Sequence, residues 1–215
     1  MPDTSSTPDT SGPSGPHDGS REDPTARALA RIAGMTVTAT SSAGRAAGGA
    51  ADGPDGAGRA PALAKRNAPC LERAVLAHRG LPSAAPENTM AAFCAAADAG
   101  ARWIETDIDL LADSTPVIIH DTALGRTTDR SGSIYGLRAA DLENIDAGGW
   151  FGPGFAGQRI PTLDSFIDFM NERGINANIE LKANEQGAAR SIELVDALAA
   201  ALERLDACRQ VLVSS

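Results

Sequence analysis

Short apolar runs alternate with longer amphipathic stretches from about residue 71 to the end of the chain. The runs at 74–77, 117–119 and 211–213 predict short buried strands, and the segments 103–110 and 177–181 predict strands too. Asn88 and Thr89 are good helix N-caps, and Gly100 is a typical helix terminator. Apolar residues at helical spacing predict further helices over 163–170 and 191–205. Strands that alternate with helices indicate a parallel α/β sheet.

Residues 1–70 have a different composition from the rest of the chain. They are rich in Ser, Thr, Pro, Gly, Ala and Asp, and they contain no Phe, Trp or Tyr. Such a segment buries too little apolar surface to offset its ordering entropy. We therefore predict a disordered low-complexity tail over 1–70 and a folded region over 71–215.

Charged residues lie in or at the ends of four of the predicted strands, near the carboxyl end of each. They are His78 and Arg79, then Glu105, Asp107 and Asp109, then His120 and Asp121, then Glu180 and Lys182. Charged groups beside apolar strands are costly unless they are paired or bind a metal. The carboxyl edge of parallel strands is where α/β proteins build their active sites.

The spacing of the carboxylates predicts a metal site. Side chains at i and i+2 of a strand point the same way, so Glu105 and Asp107 share a face, as do Glu180 and Lys182. Converging carboxylates repel one another, and a divalent cation relieves that repulsion. Oxygen ligands suit a hard ion, so we expect Mg²⁺ or Ca²⁺.

The remaining polar residues of these strands fit the chemistry of a phosphodiester. His78 and His120 can serve as general acid and general base near neutral pH. Arg79 and Lys182 supply the fixed positive charge that an anionic substrate requires. Taken singly, each has a simpler interpretation, such as an exposed edge pair, a structural histidine or a surface ion pair. Asp109 is expected to be one of these simpler cases, or to hold a loop by hydrogen bonds.

Charge and cysteine content narrow the class of protein. The 215-residue chain has a net charge of -9, which disfavours nucleic acid and anionic membranes as partners. Its three cysteines are an odd number without a CxxC pair, which argues against a disulfide framework or zinc knuckle and for a reducing compartment. We find neither a secretory signal nor an apolar run of about 18 residues, so we expect a cytoplasmic protein without a membrane span. The sequence does not indicate an oligomeric state.

Several motifs in register resemble those of the glycerophosphodiester phosphodiesterase family. They cover about 74–215 and comprise His78-Arg79-Gly80, Pro86-Glu87-Asn88-Thr89, Ala92-Phe93, Gly100-Ala101, Ile104-Glu105-Thr106-Asp107, and the segments 116–121, 124–128, 146–151, 161–163 and 178–182. The resemblance implies a TIM barrel that hydrolyses glycerophosphodiesters, its small-molecule substrates, to sn-glycerol 3-phosphate and an alcohol.

The resemblance also implies a role for each residue. Metal ligands would be Glu105, Asp107 and Glu180; His78 and His120 would be the acid–base pair; Arg79 and Lys182 would bind the phosphate; Trp150 and Phe151 would wall the site. Glu87 would lie behind the site, in the loop that supports the first helix. By analogy with related phospholipases, the glycerol hydroxyl would attack phosphorus and water would open the cyclic product.

The predicted strands amount to about the first five of an eight-stranded barrel. We therefore expect an incomplete TIM barrel, because the family continues beyond the point matched by residue 215. Three interpretations remain open on the sequence: an active phosphodiesterase, a truncated and catalytically inactive fragment of one, and another metal-dependent barrel enzyme such as a sugar-phosphate isomerase.

Overall fold

The computed structural model describes residues 74–182 and 184–215, together with the strand at residues 37–39. A six-stranded sheet organises these residues, in the order β1-β6-β5-β3-β2, with β4 paired to β3 outside that path. The strands are β1 (Val37–Ala39), β2 (Leu76–His78), β3 (Trp103–Leu110), β4 (Pro116–Ile118), β5 (Asn176–Leu181) and β6 (Val211–Ser214). All neighbours along the path are parallel, as the sequence predicts for β2, β3, β5 and β6, whereas no strand was expected at β1.

One strand differs from the sequence-based expectation. Strand β4 runs antiparallel to β3, with Ile118 opposite Ile108. The expectation that the run before His120 adds a further parallel strand is therefore wrong. A tight turn at Asp113 and Ser114 reverses the chain directly after β3, which leaves no room for the crossover that a parallel strand requires.

The helices follow the strands as predicted and are fixed by their caps. They are α1 (Met90–Asp98), α2 (Leu163–Arg173) and α3 (Ala188–Leu202). The Thr89 side chain accepts a hydrogen bond from the Ala92 amide at the start of α1, and Thr162 does the same for Ser165 in α2. Gly174 ends α2 in the left-handed conformation. No helix of the described part of the chain has the length and apolar content to cross a membrane.

The main core lies between the helices and one face of the sheet. It includes Ile104 and Ile108 of β3 and Ile179 of β5, packed against Phe93 of α1 and Phe166 of α2. Because side chains alternate along a strand, the residues directly next to these apolar positions point to the opposite face. The acidic residues of β3 and β5 therefore share that second face, which faces away from the helices.

The predicted tail at 1–70 lies largely outside the described residues. Within it the structure describes only β1, which pairs in parallel with β6. The disordered tail and its boundary stay predictions.

Candidate active site

The register of three parallel strands brings the predicted metal ligands together. His78 of β2 is the partner of Glu105 in β3, and Asp107 of β3 is the partner of Glu180 in β5. Register partners on neighbouring strands point to the same face. Glu105, Asp107 and Glu180 each place an oxygen within 4.8 Å of the others, close enough to share one cation.

The electrostatics of this cluster favour a bound cation. Burial, followed by the charge of Asp107, raises the pKa of Glu105 above its ordinary value. Asp107 is only 1% exposed, so its charge must be neutralised within the protein. An all-oxygen donor set of this kind fits Mg²⁺ or Ca²⁺ better than zinc or copper.

Lys182 supplies positive charge beside the cluster. Its Nζ lies 3.0 Å from Glu180 Oε1 and 3.2 Å from Asp107 Oδ1. Burial opposes the charge on the ammonium group, but the hydrogen bond to Glu180 and the charge of Asp107 outweigh it, and the pKa of Lys182 is raised. The ammonium therefore stays charged beside these two carboxylates.

Asn88 orients Asp107 and was not predicted as a site residue. Its Nδ2 donates to Asp107 Oδ2 at 3.0 Å, while its Oδ1 accepts from Thr106 Oγ1 at 2.9 Å. The backbone of Asn88 has a φ of 54°, which asparagine tolerates better than most residues. An asparagine directly before the helix N-cap Thr89 is the sequence signal that could have revealed it.

The turn after β2 presents Arg79 to the carboxylates. Its backbone amide donates to the Glu105 carbonyl at 2.9 Å, and its side-chain Nε lies 3.4 Å from Asp107 Oδ2. The geometry does not satisfy a hydrogen bond, so Nε is a buried donor without a protein acceptor. Gly80 permits the turn, because a Cβ there would lie 2.7 Å from the backbone of Ala92.

The two histidines are positioned by different strands. His78 ends β2, and its Nε2 lies 3.7 Å from Glu105 Oε2. His120 follows the antiparallel strand β4, which returns along β3 so that the Ile119 amide donates to the Asp107 carbonyl at 3.0 Å. Because β4 is antiparallel to β3, His120 lies beside the middle of β3 and not beyond its carboxyl end at Leu110, which differs from the sequence-based expectation.

A network of charged side chains lies next to His120. Asp121 Oδ1 is 2.5 Å from His120 Nδ1, and Arg126 binds both Asp121 and Glu87. The hydrogen bond from Arg126 is the main reason that the pKa of Glu87 is lowered and that the pKa of Asp121 falls to about 2. The sequence carries no signal that assigns Arg126 a role in the site.

Asp109 has the loop-fixing role that was one of its two expected roles. It is buried, and it accepts hydrogen bonds from Tyr135 Oη at 2.9 Å and Asn184 Nδ2 at 2.8 Å. Burial is the main cause that raises the pKa of Tyr135 to about 12. These contacts tie the loop after β5 to the segment after β4.

Trp150 and Phe151 lie in the loop that follows Ala147. Their rings pack edge to face at 5.7 Å, and Phe151 packs in the same way on Phe155 at 5.2 Å. Trp150 Nε1 donates to the Ala147 carbonyl, and Ala147 lines a small cavity together with His120. Trp150 is 45% exposed, which leaves its ring available to a ligand.

Comparison with known proteins identifies related sequences and structures. The sequence model of the Glycerophosphoryl diester phosphodiesterase family matches residues 78–215. YhdW of Bacillus subtilis is 43% identical over 110 residues, covering 51% of this chain and 45% of that protein. A glycerophosphodiester phosphodiesterase of Caldanaerobacter subterraneus subsp. tengcongensis is 40% identical over 113 residues, covering 53% of this chain and 46% of that protein.

A solved structure gives the fold class. An Oleispira antarctica phosphodiesterase, in complex with the product sn-glycerol-3-phosphate, superposes with a TM-score of 0.61 at 38% identity. The match covers 65% of this chain and 56% of that one. The predicted TIM-barrel class, present in part, is confirmed. The chain spans about half the length of the curated relatives it matches.

Proposed function

Because this chain belongs to the glycerophosphoryl diester phosphodiesterase family, we propose that its described region carries the catalytic centre of a divalent-cation-dependent phosphodiesterase. The reaction is hydrolysis of a glycerophosphodiester to sn-glycerol 3-phosphate and an alcohol. The convergence of Glu105, Asp107 and Glu180 within 4.8 Å, next to two cationic side chains, carries the proposal.

The carboxylate cluster is the proposed cation site. Glu105, Asp107 and Glu180 hold Mg²⁺ or Ca²⁺, which when bound neutralises charge on the phosphoryl oxygens. Asn88 keeps the Asp107 carboxylate in a fixed orientation through its 3.0 Å hydrogen bond. A cation also relieves the repulsion between Glu105 and Asp107 that the raised pKa of Glu105 reflects.

Arg79 and Lys182 are the proposed phosphate ligands. The buried Nε of Arg79 has no acceptor in the protein, and a phosphoryl oxygen is an acceptor of suitable charge. Lys182 lies at the same edge, beside Asp107 and Glu180. Trp150 and Phe151 are proposed to wall the part of the site that receives the rest of the substrate, because they follow Ala147 near His120.

The histidines are the proposed proton carriers. One takes the proton of the substrate's own glycerol hydroxyl as that oxygen attacks phosphorus, and the other protonates the departing alkoxide. The cyclic phosphodiester that results is then opened by water to give sn-glycerol 3-phosphate. Because Asp121 accepts from His120 Nδ1, the neutral ring carries its proton there and presents Nε2 for proton transfer.

The alternative of a catalytically inactive fragment rests on one observation. The chain spans only 45% and 46% of two relatives, so parts of those proteins have no counterpart in it. Purified chain with Mg²⁺ or Ca²⁺, assayed for sn-glycerol 3-phosphate released from glycerophosphocholine, separates the two. We expect release that stops when a chelator is added and resumes with fresh cation. Cation binding without any release would favour the inactive fragment.

Three expectations about partners and location stay predictions. They are a cytoplasmic location, the absence of a nucleic-acid partner, and a small glycerophosphodiester as the substrate. The preferred cation and head-group alcohol are to be read from the same assay, with the cation and the substrate varied in turn.

A further inference from the structure

The guanidinium group of Arg126 joins two carboxylates that come from distant parts of the chain. Its Nη1 and Nη2 donate to the two oxygens of Glu87 at 2.9 Å and 2.7 Å, which forms a bidentate pair. Its Nε donates to Asp121 Oδ2. Glu87 lies in the loop before α1 and Asp121 follows β4, so one side chain fixes two loops to each other.

Besides Arg126, Asp121 contacts His120, one of the two proposed proton carriers. The second oxygen of Asp121 lies 2.5 Å from His120 Nδ1. A carboxylate held at both oxygens cannot rotate freely, so the ring of His120 is held at one angle. A carboxylate at Nδ1 also fixes the tautomer of the imidazole.

Besides Arg126, Glu87 contacts Arg79, one of the two proposed phosphate ligands. Glu87 Oε1 accepts from Arg126 Nη2 and also from Arg79 Nη1, the latter at 2.9 Å. The Arg79 guanidinium is thereby held with its Nε 3.4 Å from Asp107. Movement of Glu87 would therefore displace Arg79 relative to the carboxylate cluster.

We propose that Arg126 is a positioning residue for the catalytic centre, acting on both sides of it at once. Through Asp121 it orients His120, and through Glu87 it orients Arg79. This inference rests on the proposed function for its catalytic meaning, but the geometric effect on His120 is measurable without turnover. Lysine could not replace Arg126, because only the planar fork of arginine binds one carboxylate at two points while Nε reaches another.

The charge state of the network agrees with this role. The hydrogen bond from Arg126 is the largest contribution that lowers the pKa of Asp121 to about 2, so Asp121 remains a carboxylate at neutral pH. The same cause lowers the pKa of Glu87. Both groups are therefore ionised and able to accept from His120, Arg79 and Arg126.

The first test follows the tautomer of His120 by ¹⁵N NMR of the imidazole nitrogens. The chain has only three histidines, so the signals can be assigned with single His→Gln variants. In the wild-type chain we expect neutral His120 to be protonated at Nδ1. In Arg126→Met we expect a mixture of tautomers, similar to that in Asp121→Asn. Unchanged His120 signals in folded Arg126→Met would overturn the proposal.

Arg126→Lys covers the case in which Arg126→Met does not fold. It keeps the positive charge but loses the fork, so we expect a disturbed His120 tautomer here as well; a wild-type spectrum would overturn the proposal. Arg130→Met is the matched control, since Arg130 lies in the same segment and pairs with Asp129 at 3.8 Å. Its His120 signals should match those of the wild type.

The second test measures turnover and affinity for sn-glycerol 3-phosphate. We expect Arg126→Met to lose about 10- to 100-fold in kcat/KM, the range seen when partners of site residues are removed. We expect the double variant with Asp121→Asn to lose less than the product of the two single losses, because both act on His120. The coupling would be contradicted if the two single losses in kcat/KM multiplied fully in the double variant and Arg126→Met bound sn-glycerol 3-phosphate as tightly as the wild type does.

The two tests separate this inference from the proposed function. A wild-type chain that releases no sn-glycerol 3-phosphate would refute the function, while a response of His120 to Arg126→Met would still establish the positioning contact. Wild-type turnover combined with His120 signals that are insensitive to Arg126 would leave the function standing and reject the positioning role.

Discussion

Asp107 and Glu180 are register partners on β3 and β5, and Lys182 Nζ lies 3.2 Å from the first and 3.0 Å from the second. A parallel pair of strands thus supplies two carboxylates at one level, and the residue two positions after Glu180 supplies an ammonium group. The carboxylate cluster is built from strand residues, whereas Arg79, His120 and Lys182 lie just after strands.

Removing one carboxylate of the cluster should weaken cation binding. We expect Glu180→Gln to reduce Mg²⁺ or Ca²⁺ affinity by more than the roughly 10- to 100-fold typical of partners behind the ligands. Titration calorimetry measures the change. Glu203→Gln, the same substitution at an exposed position after α3, is the control and should bind as the wild type does. Equal affinities for the two variants would contradict the assignment of Glu180 as a ligand.

The cation should stabilise the fold. Binding to the folded state alone adds about 2.7 kcal/mol at a concentration of about 100 Kd, which for a domain of this size raises Tm by about 5–10 °C. Thermal unfolding followed by circular dichroism, with and without Mg²⁺ or Ca²⁺, measures the shift. The double variant Glu105→Gln/Glu180→Gln should show none. A shift of equal size in that variant would mean that the cation binds elsewhere.

The sequence predicts much of this site because strand periodicity is local information. The i, i+2 spacing of Glu105 and Asp107 gives their common face, and apolar neighbours such as Ile104 and Ile108 give the buried face opposite. The strand at 103–110 is predicted with the bounds that the structure shows. The apolar pattern of β4 is the same in either orientation, and its direction follows instead from the short connection between Leu110 and Pro116, which cannot hold a parallel crossover.

The network around Arg126 has no comparable signal in the sequence. Arg126 is 39 residues from Glu87, and the contact depends on two loops meeting in space. Neither periodicity nor local spacing encodes such a contact. Asp109 shows the intermediate case: its expected loop-holding role is confirmed, but its partners Tyr135 and Asn184 could not be named beforehand.

The aromatic core between α1 and α2 should dominate the stability of the sheet's helical face. Phe93 is fully buried, and its ring centroid lies 4.8 Å from that of Phe166. We expect Phe93→Ala to lower the free energy of unfolding by about 3–5 kcal/mol, as measured by urea denaturation. Val75→Ala, at a residue that is 83% exposed, should change it by less than about 0.5 kcal/mol. Similar losses for the two variants would contradict this core.

The proposed proton carriers should be separable from cation binding. We expect His78→Gln and His120→Gln to lower kcat by about 10²- to 10⁴-fold, the range for loss of general acid–base catalysis. Cation affinity should stay close to the wild-type value, because neither ring belongs to the carboxylate cluster. His17→Gln, in the predicted tail, is the control and should keep full activity. If a histidine variant lost cation binding together with activity, that histidine would be a metal ligand and not only a proton carrier.

Acid should weaken the contribution of Asp121 to stability. Its pKa is about 2 in the folded chain against an ordinary value of 3.8, so the folded state binds fewer protons than the unfolded state between these values. The stabilisation is complete above about pH 5 and is lost as pH falls towards about 2. The difference in unfolding free energy between the wild type and Asp121→Asn, from urea denaturation, should therefore be constant from pH 6 to 5 and shrink from pH 4 to 3. A difference that stays constant or grows in acid would show that Asp121 is not held as an anion by Arg126.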